Sequence, residues 1–126
     1  MPNESPSPPQ LVFVVDDVQV IADTVAVILN SSGFRAVAFA SAASAIKAAE
    51  SEPPSLLITD VNMPEMNGIE LAIQFRAVYP LTKILLFSGH LATDALLKDA
   101  RLRGYDFTIL PKPAHPHDML AVIKSL

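Results

Sequence analysis

The chain has 126 residues, just over half of them hydrophobic (51%) and only 17% charged, enough for one domain with a sizeable core and too apolar for a disordered chain. Its net charge of -4 gives no basic footprint for nucleic acid, and with no cysteine there is neither a disulfide framework nor a thiolate metal site. No apolar run is long enough to span a bilayer, and the N-terminus lacks the apolar stretch of a signal peptide, so a cytoplasmic domain with no membrane contact is expected.

Residues 1–10 (MPNESPSPPQ) are polar and hold four of the eleven prolines, and are read as a disordered leader. Leu11 to Val15 (LVFVV) is an unbroken apolar run, the mark of a parallel strand covered on both faces, and Asp16-Asp17 follow it at once. From Val18 to Ser31 the apolar residues Val18, Ile21, Ala22, Val25, Ile28 and Leu29 recur at helical spacing, until Asn30-Ser31-Ser32-Gly33 stops the helix. Arg35 to Ala40 reads as an outer strand. Ala42, Ala45, Ile46 and Ala49 line a short second helix that Pro53-Pro54 closes.

Leu56 to Thr59 is a third strand, leading into DVNMPEMNG, Asp60 to Gly68. A third helix runs from about Gly68 to Val78 and ends at Tyr79-Pro80, because the residue before proline is pushed out of the helical region. Lys83 to Phe87 is a fourth strand, followed by Ser88-Gly89-His90, and Thr93 to Leu102 a fourth helix stopped by Gly104. Phe107 to Leu110 is a fifth strand, followed by Lys112-Pro113. His115-Pro116 opens the last helix, with proline in the first turn, where its missing N–H costs nothing.

Five strands alternating with five helices predict an α/β, doubly wound parallel sheet with helices on both faces. The chain is short for two nucleotide-binding halves, which favours the flavodoxin-like order 2-1-3-4-5 and a crevice between strands one and three. That order brings Asp16-Asp17 beside Asp60. Taken alone, Asp60 would be a turn or cap residue, as single aspartates after strands commonly are. Three converging carboxylates, however, repel one another and call for a counter-charge. A hard divalent cation with oxygen ligands supplies it, and Mg²⁺ is the usual one where phosphates are handled. Ser88 and Lys112 add a hydroxyl and an ammonium at the same edge.

These residues resemble the receiver domains of two-component response regulators, of the chemotaxis-regulator type, over residues 11–126. The resemblance is carried by Asp16-Asp17, DVNMPEMNG, Ser88-Gly89 and Lys112-Pro113. It implies a phosphorylatable signalling switch and not an enzyme: Asp60 accepts a phosphoryl group from a sensor histidine kinase or phosphotransfer protein. It also implies that Asp17 and Asp16 hold Mg²⁺, Asp17 more directly, with Asp60 and the backbone carbonyl of Asn62. Ser88 would bond a phosphoryl oxygen and Lys112 would pair with the phosphoryl group, beside a cis Lys112–Pro113 bond. The signal would leave through the face of helix four, strand five and helix five, toward a downstream protein or a second copy of the chain.

Two departures concern output. Ile109 stands where receivers usually carry an aromatic switch residue, with Tyr105 and Phe107 nearby and the Gly104–Lys112 segment one residue longer than is common; Ala114 stands where Phe is common. Phe107 shares strand parity with Ile109 and is the candidate substitute. An aspartate-dependent phosphatase is the alternative on this chemistry, but it needs a second acid or base two residues past the nucleophile, where Asn62 stands. A flavin-type cofactor site is disfavoured because no Gly/Ser/Thr-rich loop follows strand one. His90, His115 and His117 read as loop or cap residues, Met63 and Met66 as loop packing, and Arg101 and Arg103 as a solvated helix face.

Overall fold

The computed structural model describes residues 9–89 and 93–126. Of the features anticipated above, residues 1–8 of the leader and His90 lie outside the described residues. The elements are β1 Leu11–Val15, α1 Gln19–Ser31, β2 Arg35–Phe39, α2 Ala42–Ser51, β3 Leu56–Asp60, α3 Gly68–Val78, β4 Lys83–Ser88, α4 Thr93–Leu102, β5 Thr108–Pro111 and α5 Pro116–Ser125. All strand pairs are parallel, in the order β2-β1-β3-β4-β5, as expected from the alternating pattern.

Strand periodicity divides the core in two. Leu11, Phe13 and Val15 of β1 point with Leu57 of β3 and Ile84 and Leu86 of β4 into a layer shared with α2, α3 and α4. Val12, Val14, Leu56, Ile58, Leu85 and Phe87 point the other way, toward Ala22 and Leu29 of α1 and Met119 and Ile123 of α5. Each large aliphatic side chain buried in this way contributes about 1.5–3 kcal/mol relative to exposure. β2 is an edge strand with only alternate, partial burial, which explains its weaker apolar pattern.

The helix ends follow local chemistry. α1 starts one residue later than its periodicity suggests, because Val18 is extended (φ -90°, ψ 101°) and its N–H donates to Asp16 Oδ1 at 2.9 Å. Gly33 and Gly104, at φ 95° and 92°, close α1 and α4 in the left-handed conformation. In both, the next residue donates back into the last turn: Phe34 N–H to the Leu29 carbonyl at 3.1 Å and Tyr105 N–H to the Ala100 carbonyl at 2.9 Å. His115 caps α5, its Nδ1 accepting the His117 N–H at 3.1 Å. β5 is displaced by one residue from the expected span, since its pairing with β4 starts at Thr108 opposite Leu85 and runs to Pro111 opposite Ser88. A proline that lacks an N–H is tolerated there because β5 is an edge.

Candidate functional site

Register assembles the site at the carboxyl edge of the sheet. Val15 is opposite Thr59, so the next residues along, Asp16 and Asp60, stand side by side; Asp60 is opposite Phe87, and Ser88 opposite Pro111. One step past each strand partner thus lies a polar residue, ending with Lys112. Its backbone N–H donates to the Ser88 carbonyl at 2.9 Å. The Lys112–Pro113 bond is cis, as the resemblance implied.

Oxygens of Asp16, Asp17 and Asp60 lie within 4.8 Å of one another. Asp16 and Asp60 are buried, whereas Asp17 is exposed at the mouth of the crevice. Lys112 Nζ donates to Asp16 Oδ2 at 2.8 Å and sits 3.3 Å from Asp60 Oδ1. With its other oxygen on the Val18 N–H, Asp16 is engaged on both sides. Burial raises the Asp60 carboxyl above the ordinary carboxylate range; the charges of Asp16 and Asp17 push the same way, against the opposing pull of Lys112. Burial would lower the Lys112 ammonium, but its hydrogen bond to Asp16 and the charges of Asp60 and Asp16 outweigh that and raise it. The two directions have different leading causes: burial disfavours the charged Asp60 carboxylate more than the Lys112 charge favours it, whereas Lys112, facing both Asp16 and Asp60, gains more from its two carboxylates than burial costs it. The three carboxylates offer only oxygen ligands, the set that suits a hard divalent cation and not a soft one.

The β3–α3 loop shapes the wall of the crevice. Glu65 takes the left-handed conformation (φ 68°) at the centre of a tight turn in which the Met66 N–H donates to the Pro64 carbonyl at 2.8 Å. Met63 and Met66 pack against the core, and the buried Thr59 hydroxyl, 3.9 Å away, donates to Met63 Sδ. Asn62 lies in this loop two residues beyond Asp60. α3 then begins with a reciprocal cap: Glu70 N–H to Asn67 Oδ1 at 2.9 Å, and Asn67 N–H to Glu70 Oε1 at 3.1 Å. Two glycines went unremarked as site residues in the sequence. Gly89 packs against the aliphatic stem of Lys112, and Gly68 presses on the backbone of Asp60 itself.

Around β5, Phe107 and Ile109 face the same core layer, as parity required. Phe107 is buried between two neighbours: the Tyr105 ring is stacked 5.9 Å away at 12°, and the Arg76 guanidinium lies 5.4 Å from its centroid. Arg101 and Arg103 are solvated, paired with Asp106 at 3.8 Å and Asp99 at 3.6 Å.

Residues 12–124 match the family model of the response regulator receiver domain. The chain belongs to that family. Receiver domains are signalling switches of two-component systems, working with histidine kinases or phosphotransfer proteins, and are not an enzyme family. This receiver domain is 38% identical over 98 residues to the response regulator receiver protein CpdR of Brucella abortus, covering 78% of this chain and 80% of that protein. It is 31% identical over 113 residues to the DNA-binding transcriptional regulator NtrC of Proteus hauseri, covering 90% of this chain but only 24% of the regulator's length. Among solved structures, a CheY-like receiver domain protein from Methanospirillum hungatei superposes with a TM-score of 0.81 at 27% identity, over 93% of this chain and 92% of that one. Vibrio cholerae chemotaxis protein CheY4 gives 0.80 at 26% identity, over 93% and 98%. Among the described residues, no helix is long and apolar enough to cross a membrane.

Proposed function

We propose that residues 11–126 act as a phosphorylation switch in which Asp60 is the acceptor. The observation that carries this reading is the placement of one ammonium, Lys112 Nζ, against both Asp16 and Asp60, with Asp17 at the open side. An Asp60 oxygen attacks phosphorus as the bond from phosphorus to the donor imidazole nitrogen breaks, leaving an aspartyl phosphate and a free histidine. Such transfer depends mainly on positioning and on neutralising the equatorial oxygens. Lys112 is a compact charge already at hydrogen-bond range of the acceptor. Asp16 holds that ammonium in place and Asp17 offers a ligand oxygen from the solvent side. Bound with Asp16, Asp17, Asp60 and the Asn62 carbonyl, Mg²⁺ would supply further positive charge at the transferring group. Ser88, at the end of β4, would then receive a phosphoryl oxygen, and the face of α4, β5 and α5 would carry the change to a downstream protein or to a second copy of the chain.

The test uses acetyl phosphate with Mg²⁺ and intact-mass measurement. The wild-type chain gains one phosphoryl group and Asp60→Asn gains none. Equal labelling of Asp60→Asn would remove Asp60 from the role.

A further inference from the structure

A Cβ built on Gly68 would stand 2.0 Å from the carbonyl oxygen of Asp60, 2.8 Å from its carbonyl carbon and 3.0 Å from Val61 Cα. All three are backbone atoms of buried residues, so no side-chain rotation can make room. The Gly68 N–H meanwhile donates to the Val61 carbonyl at 2.9 Å, tying the first residue of α3 to the residue that follows the acceptor. Val61 is fixed on its N-terminal side as well, because its N–H, in the Asp60–Val61 peptide, donates to the Phe87 carbonyl of β4 at 3.0 Å. The Asp60–Val61 backbone is therefore held between β4 and the start of α3, and the gap on the α3 side has room for a hydrogen and no more. Gly68 does not carry the left-handed conformation seen at Gly33 and Gly104. Conformational freedom does not explain its presence at a helix start, where alanine is the better helix former. Close approach does.

We infer that Gly68 is a positioning residue for phosphotransfer, setting the distance between the Asp60 carboxylate and Lys112 by letting α3 seat directly on the Asp60 peptide. The inference rests on the reading of Asp60 as acceptor. A methyl group at position 68 has to push the Asp60 peptide and α3 apart by enough to turn a 2.0 Å approach into an ordinary contact of 3.4 Å or more. The carboxylate is one side chain away from that peptide, whereas Lys112 is anchored separately through its N–H to Ser88. The 3.3 Å separation between Asp60 Oδ1 and Lys112 Nζ is thus what changes. Displacements of about 1 Å in a reacting group reduce rates by about 100-fold.

Gly68→Ala is compared with Glu70→Ala, which breaks the reciprocal cap of the same helix without adding an atom against Asp60. Two readouts are taken: the rate constant of labelling at saturating acetyl phosphate and Mg²⁺, and the Asp60 to Lys112 separation in a crystal structure of each variant. The inference expects Gly68→Ala to lose at least about tenfold in the rate constant, with a lengthened separation, while Glu70→Ala keeps the wild-type rate and separation. It is overturned by an unchanged separation in Gly68→Ala, or by an equal loss of rate in Glu70→Ala, which would reduce the effect to helix stability. If Gly68→Ala folds poorly, labelling is repeated in sucrose, which favours the compact state; failure to fold there also counts against a positioning role. If the wild-type chain takes no phosphoryl group, the acceptor reading fails, and the crystallographic separation still decides what Gly68 does.

Discussion

Lys112 Nζ stands 3.3 Å from Asp60 Oδ1, yet its shorter contact, 2.8 Å, is to Asp16 Oδ2. The lysine is held by one carboxylate and shared with the other, leaving it available to a phosphoryl group on Asp60 without letting it swing away. Lys112→Met keeps the aliphatic stem and removes the charge. The labelling rate with acetyl phosphate should fall about 100- to 1000-fold, the usual loss for one electrostatic donor at a reacting group. Urea unfolding of the metal-free variant should show about 1–3 kcal/mol less stability, since Asp16 is left buried without its ammonium. A variant labelled at the wild-type rate would show that the lysine is structural only.

The raised carboxyl of Asp60 makes a statement about stability. Folded protein retains that proton to higher pH than the unfolded chain, so the native state binds more protons above the ordinary carboxylate range and stability falls as pH rises through that interval. Asp60→Asn removes the effect. Without Mg²⁺, its thermal midpoint should exceed that of wild type by a few degrees at pH 7, and the gap should close on acidification. Lys112 gives the same pH slope in a higher range, but as a stabilising group: its contribution is complete below the ordinary ammonium value and is lost as pH rises through its raised value. Asp60→Asn melting below wild type at pH 7 would contradict the first of these expectations.

Mg²⁺ should stabilise the wild-type chain by about 2.7 kcal/mol at a concentration 100 times its dissociation constant, as any ligand of the native state alone does. Asp17→Ala should stay folded, because Asp17 is exposed, and should lose both this gain and Mg²⁺-dependent labelling. Relief of carboxylate crowding should leave the variant at least as stable as wild type in the absence of metal. Calorimetric titration decides it: the same Mg²⁺ affinity in Asp17→Ala would exclude Asp17 as a ligand.

The output face should respond weakly. Ile109 is β-branched with few χ1 states and buries less area than an aromatic ring, so it transmits a movement of Ser88 poorly. Phe107 shares its face but is already buried between Tyr105 and Arg76, which leaves it little inward movement to make. Amide chemical shifts with a beryllofluoride phosphoryl mimic should therefore change only modestly across α4 and Ile109. Phe107→Ala should lower stability by about 3–5 kcal/mol, as truncation of a buried phenylalanine does. Large shifts over α4 and Ile109, undiminished in Phe107→Ala, would sink the hypothesis of a weak response.

The runs of β1, β3, β4 and the shorter β5, each ending in a polar residue or followed at once by one, determined the parallel sheet and which residues reach its carboxyl edge, because strand period and burial are local properties of the chain. Asp16, Asp60, Ser88 and Lys112 were legible for that reason, and the stops at Gly33 and Gly104 were legible from turn chemistry alone. The distances were not. Which oxygen of Asp16 holds Lys112 depends on the other being taken by the Val18 N–H, and the ion pair itself depends on a strand register that brings together two residues 96 positions apart in the chain. Gly68 is the sharpest case. In the sequence it is a glycine at a helix start, and only the seating of α3 on the Asp60 peptide turns the absence of a methyl group into a constraint on the acceptor, because steric exclusion acts through space between backbones that the chain itself separates by eight residues.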